Sequence, residues 1–178
     1  MSDRTSNEQM RRLLDRAEIQ DLLFRYCRGV DRCDAEMIRS AYHPDSYDDR
    51  GYWRGNGHEF ATFIARRLAQ ANSATTHSVT NILIDIIGDT ATSECQVRAT
   101  LARRGEPVID VIGARYLDRL TRRDGTWRID HRTVVLDWRT TEDGSAATAP
   151  FAVDDFVRGG RHPDDPVYAL LNGTPPRK

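Results

Sequence analysis

The sequence predicts an α+β fold in which N-terminal helices pack against a curved, mostly antiparallel sheet. Two observations carry this. Up to about residue 71 the apolar residues recur at helical spacing, and beyond it the period changes to two. The later runs are long, rich in Val, Ile and Thr, and divided by glycine-containing turn signals. Consecutive strands that follow consecutive helices give helices on one face of a sheet.

In chain order, Ile19, Leu22, Leu23, Tyr26, Cys27 and Val30 make a clear amphipathic stripe. Asp15 followed by Glu18 resembles a capping box and places the main helix start near Ala17. Met10, Leu13 and Leu14 are out of phase with the stripe and read as a preceding turn. Asp34 is a good N-cap for a short second helix through Tyr42, which His43-Pro44-Asp45 ends because proline disfavours a helical residue before it. Residues 46–57 are turn-rich and aromatic, with Tyr47, Tyr52 and Trp53 among Gly51, Gly55 and Gly57. A third helix is expected over about 58–71, with Phe60, Phe63, Ile64 and Leu68 inward. Strands are expected over 76–87, 91–103, 107–121 and 126–138, divided by Gly88-Asp89, Arg104-Gly105-Glu106 and Arg123-Asp124-Gly125. From Thr140 the composition shifts to Gly, Ala, Pro and Asp, interrupted by Phe151, Val153, Phe156 and Val157. The chain therefore divides into a domain over 1–139 and an extension over 140–178 that is expected to cover a pocket mouth or a partner subunit.

The 178 residues suffice for one domain with a core large enough to surround a pocket. Charged residues are 30% and hydrophobic ones 39%, with a formal net charge of -1, which favours neither nucleic acid nor an anionic membrane. No apolar stretch approaches the roughly 18 residues of a membrane span, and Met1-Ser2-Asp3-Arg4-Thr5 lacks the apolar core of a signal peptide, so the expected compartment is the cytoplasm. Cys27, Cys33 and Cys95 form no C-x-x-C pair, and His43, His58, His131 and His162 have no ligand spacing, so neither a disulfide framework nor a metal site is expected. Gly159-Gly160 lacks the strand-loop-helix context of a dinucleotide site. No cofactor is expected.

Asp31 is the residue that breaks the pattern. Leu23, Cys27 and Asp31 follow at i+4 steps, so a carboxylate continues the apolar stripe at the end of a helix. It faces the core, where an unpaired charge is costly, and lies at the negative end of the helix dipole. A local explanation pairs it with Arg28 or Arg32, or with nearby backbone N–H groups. The functional explanation pairs it with His77, which opens a β-patterned run in Thr75-Thr76-His77-Ser78-Val79-Thr80-Asn81.

These residues carry a resemblance. Arg16-Ala17-Glu18-Ile19-Gln20-Asp21-Leu22-Leu23, Gly29-Val30-Asp31, Thr76-His77 with Asn81, and Arg122-Arg123-Asp124-Gly125-Thr126-Trp127 make the chain resemble the SnoaL-like branch of the NTF2-like superfamily over roughly 10–139. The likeness is nearest to hexachlorocyclohexane dehydrochlorinases and bile-acid dehydratases, with scytalone dehydratases more distant. It implies a cone-shaped α+β barrel with an apolar pocket at its open end, and elimination by a His–Asp dyad without metal or cofactor. It assigns Asp31 and His77 to the dyad, Tyr26 to a pocket tyrosine, and Arg132, five residues after Trp127, to a pocket arginine that stabilises a departing anion. The dehydrochlorinases have a pocket tryptophan after the second helix; this chain has Tyr47 and Asp48 there and Trp53 later. Tyr47, Trp53 and Asn81 complete the substrate-binding set.

The expected activity is a cofactor-independent lyase, a dehydratase or related eliminating enzyme, acting on an apolar cyclic or polycyclic small molecule. An isomerase or cyclase of the same fold needs only the same base and hydrogen-bond donor, and a non-catalytic binding or oligomerisation module is the reading from outside enzymology. The sheet's outer face is expected to form a homodimer or homotrimer.

Overall fold

A single helix, α1 (Ser2–Arg32), opens the chain and starts well before Ala17. The computed structural model describes residues 2–145 and 156–174, with side chains from residue 6 onward. The stripe from Ile19 to Val30 is buried, as its spacing predicts. The expected capping box is absent because the helix runs through it: Arg, Gln, Met and Leu sustain helical backbone without a buried face, and Met10, Leu13 and Leu14 are exposed on this extra length. Asp15 and Glu18 reach the sheet instead. Asp15 Oδ1 accepts from Trp127 Nε1 at 3.0 Å and from Arg122 Nη1 at 2.7 Å, and Glu18 Oε1 accepts from the Trp127 backbone N–H at 3.3 Å.

The C-terminus of α1 closes in a Schellman motif. Cys33 N–H donates to Val30 O at 3.2 Å and Asp34 N–H to Gly29 O at 2.9 Å, with Cys33 in the left-handed region at φ 54°. Asp34 then caps α2 (Ala35–Ser40), its Oδ1 accepting from Met37 N–H at 2.9 Å. Gly29 makes this tight reversal feasible: a Cβ there would stand 3.0 Å from Ile38 Cγ1.

Residues 46–57, expected as loop, contribute to two strands, β1 (Tyr42–Asp49) and β2 (Arg54–Asn56). Pro44 disguises β1, since proline cannot donate to a ladder. It is tolerated because the β1 register breaks between Tyr42 and Tyr47. Asn56 caps α3 (Gly57–Ala71), accepting at Oδ1 from His58 N–H at 2.8 Å.

The remaining strands are β3 (Asn72–Ile87), β4 (Thr90–Arg103), β5 (Val108–Arg123) and β6 (Thr126–Asp143). The curved, open six-stranded sheet has the order β2-β1-β6-β5-β4-β3, antiparallel except for the parallel β1–β6 pair. The stripe of α1 and the Phe60–Leu68 face of α3 form one core with Val97, Tyr116, Leu120 and Ile129 of the sheet.

Two irregularities set which side chains face that core. In β3 the register slips between Thr80 and Leu83, with Asn81 at φ 49°, so inward residues are Thr75, His77 and Val79 before the bulge and Ile82, Ile84 and Ile86 after it. In β6 the slip opposite Arg119–Leu120 lets Trp127, Ile129 and Arg132 all be buried.

The described part of the extension includes α4 (Pro166–Leu171) and lies against the end of α1. His162 N–H donates to Arg32 O at 2.6 Å, Arg32 Nε pairs with Asp165 Oδ2 at 2.9 Å, and Tyr168 OH donates to Asp34 Oδ2 at 2.9 Å. Phe151 and Val153 lie outside the described residues; Phe156 and Val157 are exposed. No described helix is long and apolar enough to cross a membrane.

Because Asp15 satisfies both Trp127 Nε1 and Arg122, Asp15→Ala leaves a buried donor unpaired. It is expected to lower unfolding stability by about 2–3 kcal/mol in urea denaturation, with the fold retained.

Candidate active site

The last turn of α1 and the start of β3 meet at Asp31 and His77. Asp31 Oδ1 lies 2.6 Å from His77 Nδ1, and Asp31 Oδ2 accepts the backbone N–H of His77 at 2.9 Å. As a carboxylate Asp31 can only accept, so in the neutral imidazole the proton belongs on Nδ1 and the lone pair on Nε2. None of the ring's hydrogen bonds among the described residues uses Nε2.

Asp31 is placed by backbone on both sides. As the residue two before the left-handed Cys33, its own carbonyl is one of the orphans of the helix end. Thr75 Oγ1 donates to it at 3.3 Å, as does Arg161 Nη1 from the extension; the same Arg161 nitrogen donates to Thr75 Oγ1 at 2.7 Å. A guanidinium at a helix C-terminus also offsets the dipole that disfavours a carboxylate there.

His77 lines a cavity of about 140 Å³ between the helices and the sheet. Most of its wall is apolar, including Val30, Ile64, Leu68, Val97, Ile112 and Val134, and exposed Tyr52 stands at its edge. Three further polar or aromatic side chains enter the wall: Tyr26, Tyr116 and Arg50. Arg50 follows β1 and is buried, its side chain 7% exposed. Its Nε donates to Asp48 Oδ1 at 2.7 Å, and its Nη2 donates to Asp48 Oδ2 at 3.1 Å and to Tyr26 OH at 2.6 Å. The guanidinium carbon lies 4.0 Å from the centroid of Phe60, a favourable cation–π distance.

The electrostatics follow from burial. Burial pushes the Tyr26 phenol up, only partly opposed by Arg50 and Arg132, so it is a neutral hydroxyl with its proton intact. Because that oxygen accepts from Arg50, its own proton is free for another acceptor. Burial opposes the charge on Arg50, but the phenols and the Asp48 carboxylate around it hold its pKa well above the ordinary value. Burial also pushes the Cys27 thiol up to about 12 and the Cys95 thiol up to about 11, so neither is a thiolate nucleophile at neutral pH. Among the described residues no group of three His, Cys, Asp or Glu side chains could hold a metal ion.

Of the residues singled out in the sequence, the structure brings Asp31, His77 and Tyr26 to this region and places the others elsewhere. Arg132 is fully buried and forks onto Asp118, directly opposite it in the β5–β6 ladder, at 2.7 and 2.6 Å. Its guanidinium carbon lies 4.3 Å from the Tyr26 ring and 4.2 Å from the Tyr116 ring, so these two rings hold it away from the cavity wall. Tyr47 is 40% exposed and stacks on His131 at 5.3 Å. Trp53 stacks on Phe63 at 4.6 Å, a layer behind Arg50. Asn81, expected in the substrate-binding set, is turned out by the β3 bulge and donates to Gln96 Oε1 at 3.2 Å. Arg50 and its partner Asp48 were missed: the sequence Asp48-Asp49-Arg50 reads as a polar turn until β1 is recognised and its alternation buries Ser46 and Asp48.

The sequence profile of the SnoaL-like domain matches residues 11–133. Against curated proteins the sequence finds no match. Among solved structures, a hexachlorocyclohexane dehydrochlorinase (LinA type 2) aligns with a TM-score of 0.72 at 25% identity, over 80% of this chain and 98% of that one. An aspartate-to-asparagine variant of a Mycobacterium tuberculosis protein of unknown function aligns at 0.64 and 27% identity, over 76% and 84%. A candidate scytalone dehydratase from Novosphingobium aromaticivorans shares the fold at 0.67 and 19% identity, over 76% and 91%.

The Arg132–Asp118 pair is inaccessible and bidentate, so removing one partner strands a buried charge. Asp118→Ala is expected to cost about 3–5 kcal/mol of unfolding stability in thermal or urea denaturation.

Proposed function

The chain belongs to the SnoaL-like domain family of the NTF2-like superfamily, and from that premise we propose that it is a cofactor-independent lyase. Its reaction is a dehydration or related elimination on an apolar cyclic small molecule. The observation that carries this reading is that His77, bound to Asp31 through Nδ1, lines an apolar cavity. The dehydrochlorinase name of a structural relative at 25% identity supports elimination.

In this reading His77 Nε2 is the general base. It takes a proton from carbon, the C–H electron pair becomes the new C=C bond, and the leaving group departs from the adjacent carbon with its own bonding pair. Asp31 holds the imidazole by Nδ1 and stabilises the imidazolium that forms, the part a carboxylate plays beside a catalytic histidine. When hydroxide departs, the proton held on Nε2 is returned to it, and the sum is loss of water. Tyr26 gives its free hydroxyl proton as a hydrogen bond to an oxygen of the substrate. The apolar walls exclude water and so strengthen these interactions.

A panel of cyclic alcohols, hydroxy ketones and halides, read by mass spectrometry for loss of water and by halide release, tests the proposal. At least one member is expected to lose HX. His77→Ala and Asp31→Asn should each lower kcat/KM about 10²–10⁴-fold on it, and the double variant should be little worse than either. Undiminished turnover in His77→Ala would overturn the reading. A product of unchanged mass, with the substrate C–H exchanged for deuterium, would move the chain to the isomerases of this fold.

A further inference from the structure

We propose that Arg50 and Tyr26 form an oxyanion-binding pair in the cavity, and that the substrate is a neutral, single-ring carbonyl compound whose oxygen lies against them. This rests on the lyase reading and narrows its substrate.

The cation that reaches the cavity is Arg50. Arg132 is shut into the core, with Asp118 on one edge and tyrosine rings on both faces, and its unpartnered Nη1 is buried there, away from the cavity that Arg50 lines. Arg50 is held just as firmly but is left open at one corner. Nε and Nη2 are committed to Asp48, Tyr26 and Tyr42, whereas none of its hydrogen bonds among the described residues uses Nη1. The Tyr26 hydroxyl, already accepting from Nη2 of the same guanidinium, has its own proton free. An uncommitted guanidinium nitrogen and the hydroxyl bound to the same guanidinium, in a mostly apolar wall, suit a single oxygen that gains negative charge during reaction.

Charge balance decides between a carbonyl and a permanent anion. Each buried guanidinium has its own carboxylate, Arg50 with Asp48 and Arg132 with Asp118, and Asp31 adds a negative charge beside His77. A carboxylate ligand would add an unmatched charge to this set. A neutral carbonyl adds none. When His77 Nε2 removes the proton next to that carbonyl, the C–H pair forms a double bond to the carbonyl carbon and the C=O π pair moves onto oxygen as an enolate, while the imidazole becomes cationic, so the total is unchanged. The enolate pair then returns through the carbon skeleton to form the C=C bond and expels hydroxide from the β-carbon, and the proton on Nε2 makes it water. Size sets the ring count: about 140 Å³ is comparable to the ~150 Å³ of a cavity that accommodates benzene.

The test uses 4-nitrophenol, a single-ring phenol that enters neutral and becomes a planar oxyanion by giving its proton to His77, so that the charge total is unchanged, and nitrobenzene, which matches its ring and nitro group without the phenolic oxygen. At a pH where free 4-nitrophenol is about half ionised, binding to the native protein is expected to raise the phenolate absorbance and to be competed by nitrobenzene only weakly. Arg50→Met should weaken phenolate binding about tenfold to a hundredfold and leave nitrobenzene binding within about threefold. Because Arg50→Met strands Asp48, the double variant Asp48→Asn/Arg50→Gln provides a charge-balanced control with the same expected loss. Equal binding of the two probes with no gain in phenolate overturns the oxyanion pair. Failure of both to bind overturns the single-ring assignment. Either failure leaves the lyase reading intact if panel turnover still depends on His77, whereas phenolate preference without His77-dependent turnover removes the lyase reading alone.

Discussion

Asp31 gives both carboxylate oxygens to one residue, and much of the site depends on that. One oxygen meets the imidazole and the other the backbone N–H of the same His77, so the contact joins the end of α1 to β3 and fixes the histidine ring in the same act. A lone hydrogen bond to the ring would leave the ring free to rotate with its strand. The position is unfavourable for a carboxylate in isolation, at the negative end of a 31-residue helix. The surroundings offset this with donors at the same place: Thr75 and Arg161 on the Asp31 carbonyl, and the His162 N–H on the Arg32 carbonyl. The extension beyond the sheet therefore satisfies the helix terminus that carries the carboxylate.

Around the cavity the same economy of pairing recurs with arginine. Burying a guanidinium is costly unless its hydrogen bonds are complete and its charge is balanced. The protein buries two in one cluster of tyrosines. Arg132 has a bidentate carboxylate across the strand and two aromatic faces that balance its charge, leaves only Nη1 without a partner, and functions as part of the core. Arg50 has equivalent support from Asp48, Tyr26 and Phe60 but comes from the end of β1, where the chain turns at the cavity edge. Rigid support combined with one uncommitted donor makes it suited to meeting charge that develops transiently.

The readable parts of the sequence were those governed by regular period. The α1 stripe, α3 and the four long strands are periodic, and their burial follows. Asp31 stood out because it broke a period that its neighbours kept. What was not legible depended on local departures from period. Pro44 hid β1, and with it the Asp48–Arg50 pair, because a proline is compatible with a strand only where the ladder is already interrupted. The bulge at Asn81 changed which residues of β3 share the His77 face, and a bulge in β6 turned Arg132 into the core. A capping-box pattern at Asp15 and Glu18 misled because both carboxylates bind Trp127, more than 100 positions away in sequence; spacing within a helix carries no sign of such a partner.

The most direct measurement is the 15N NMR spectrum of the histidine ring nitrogens in the native protein, assigned to His77 by its loss in His77→Gln. The neutral ring is expected to carry its proton on Nδ1, with Nε2 unprotonated, and Asp31→Asn should abolish that preference. A neutral His77 with its proton on Nε2, or a tautomer ratio indifferent to Asp31→Asn in a folded protein, would contradict the assignment of His77 as the base that Asp31 orients.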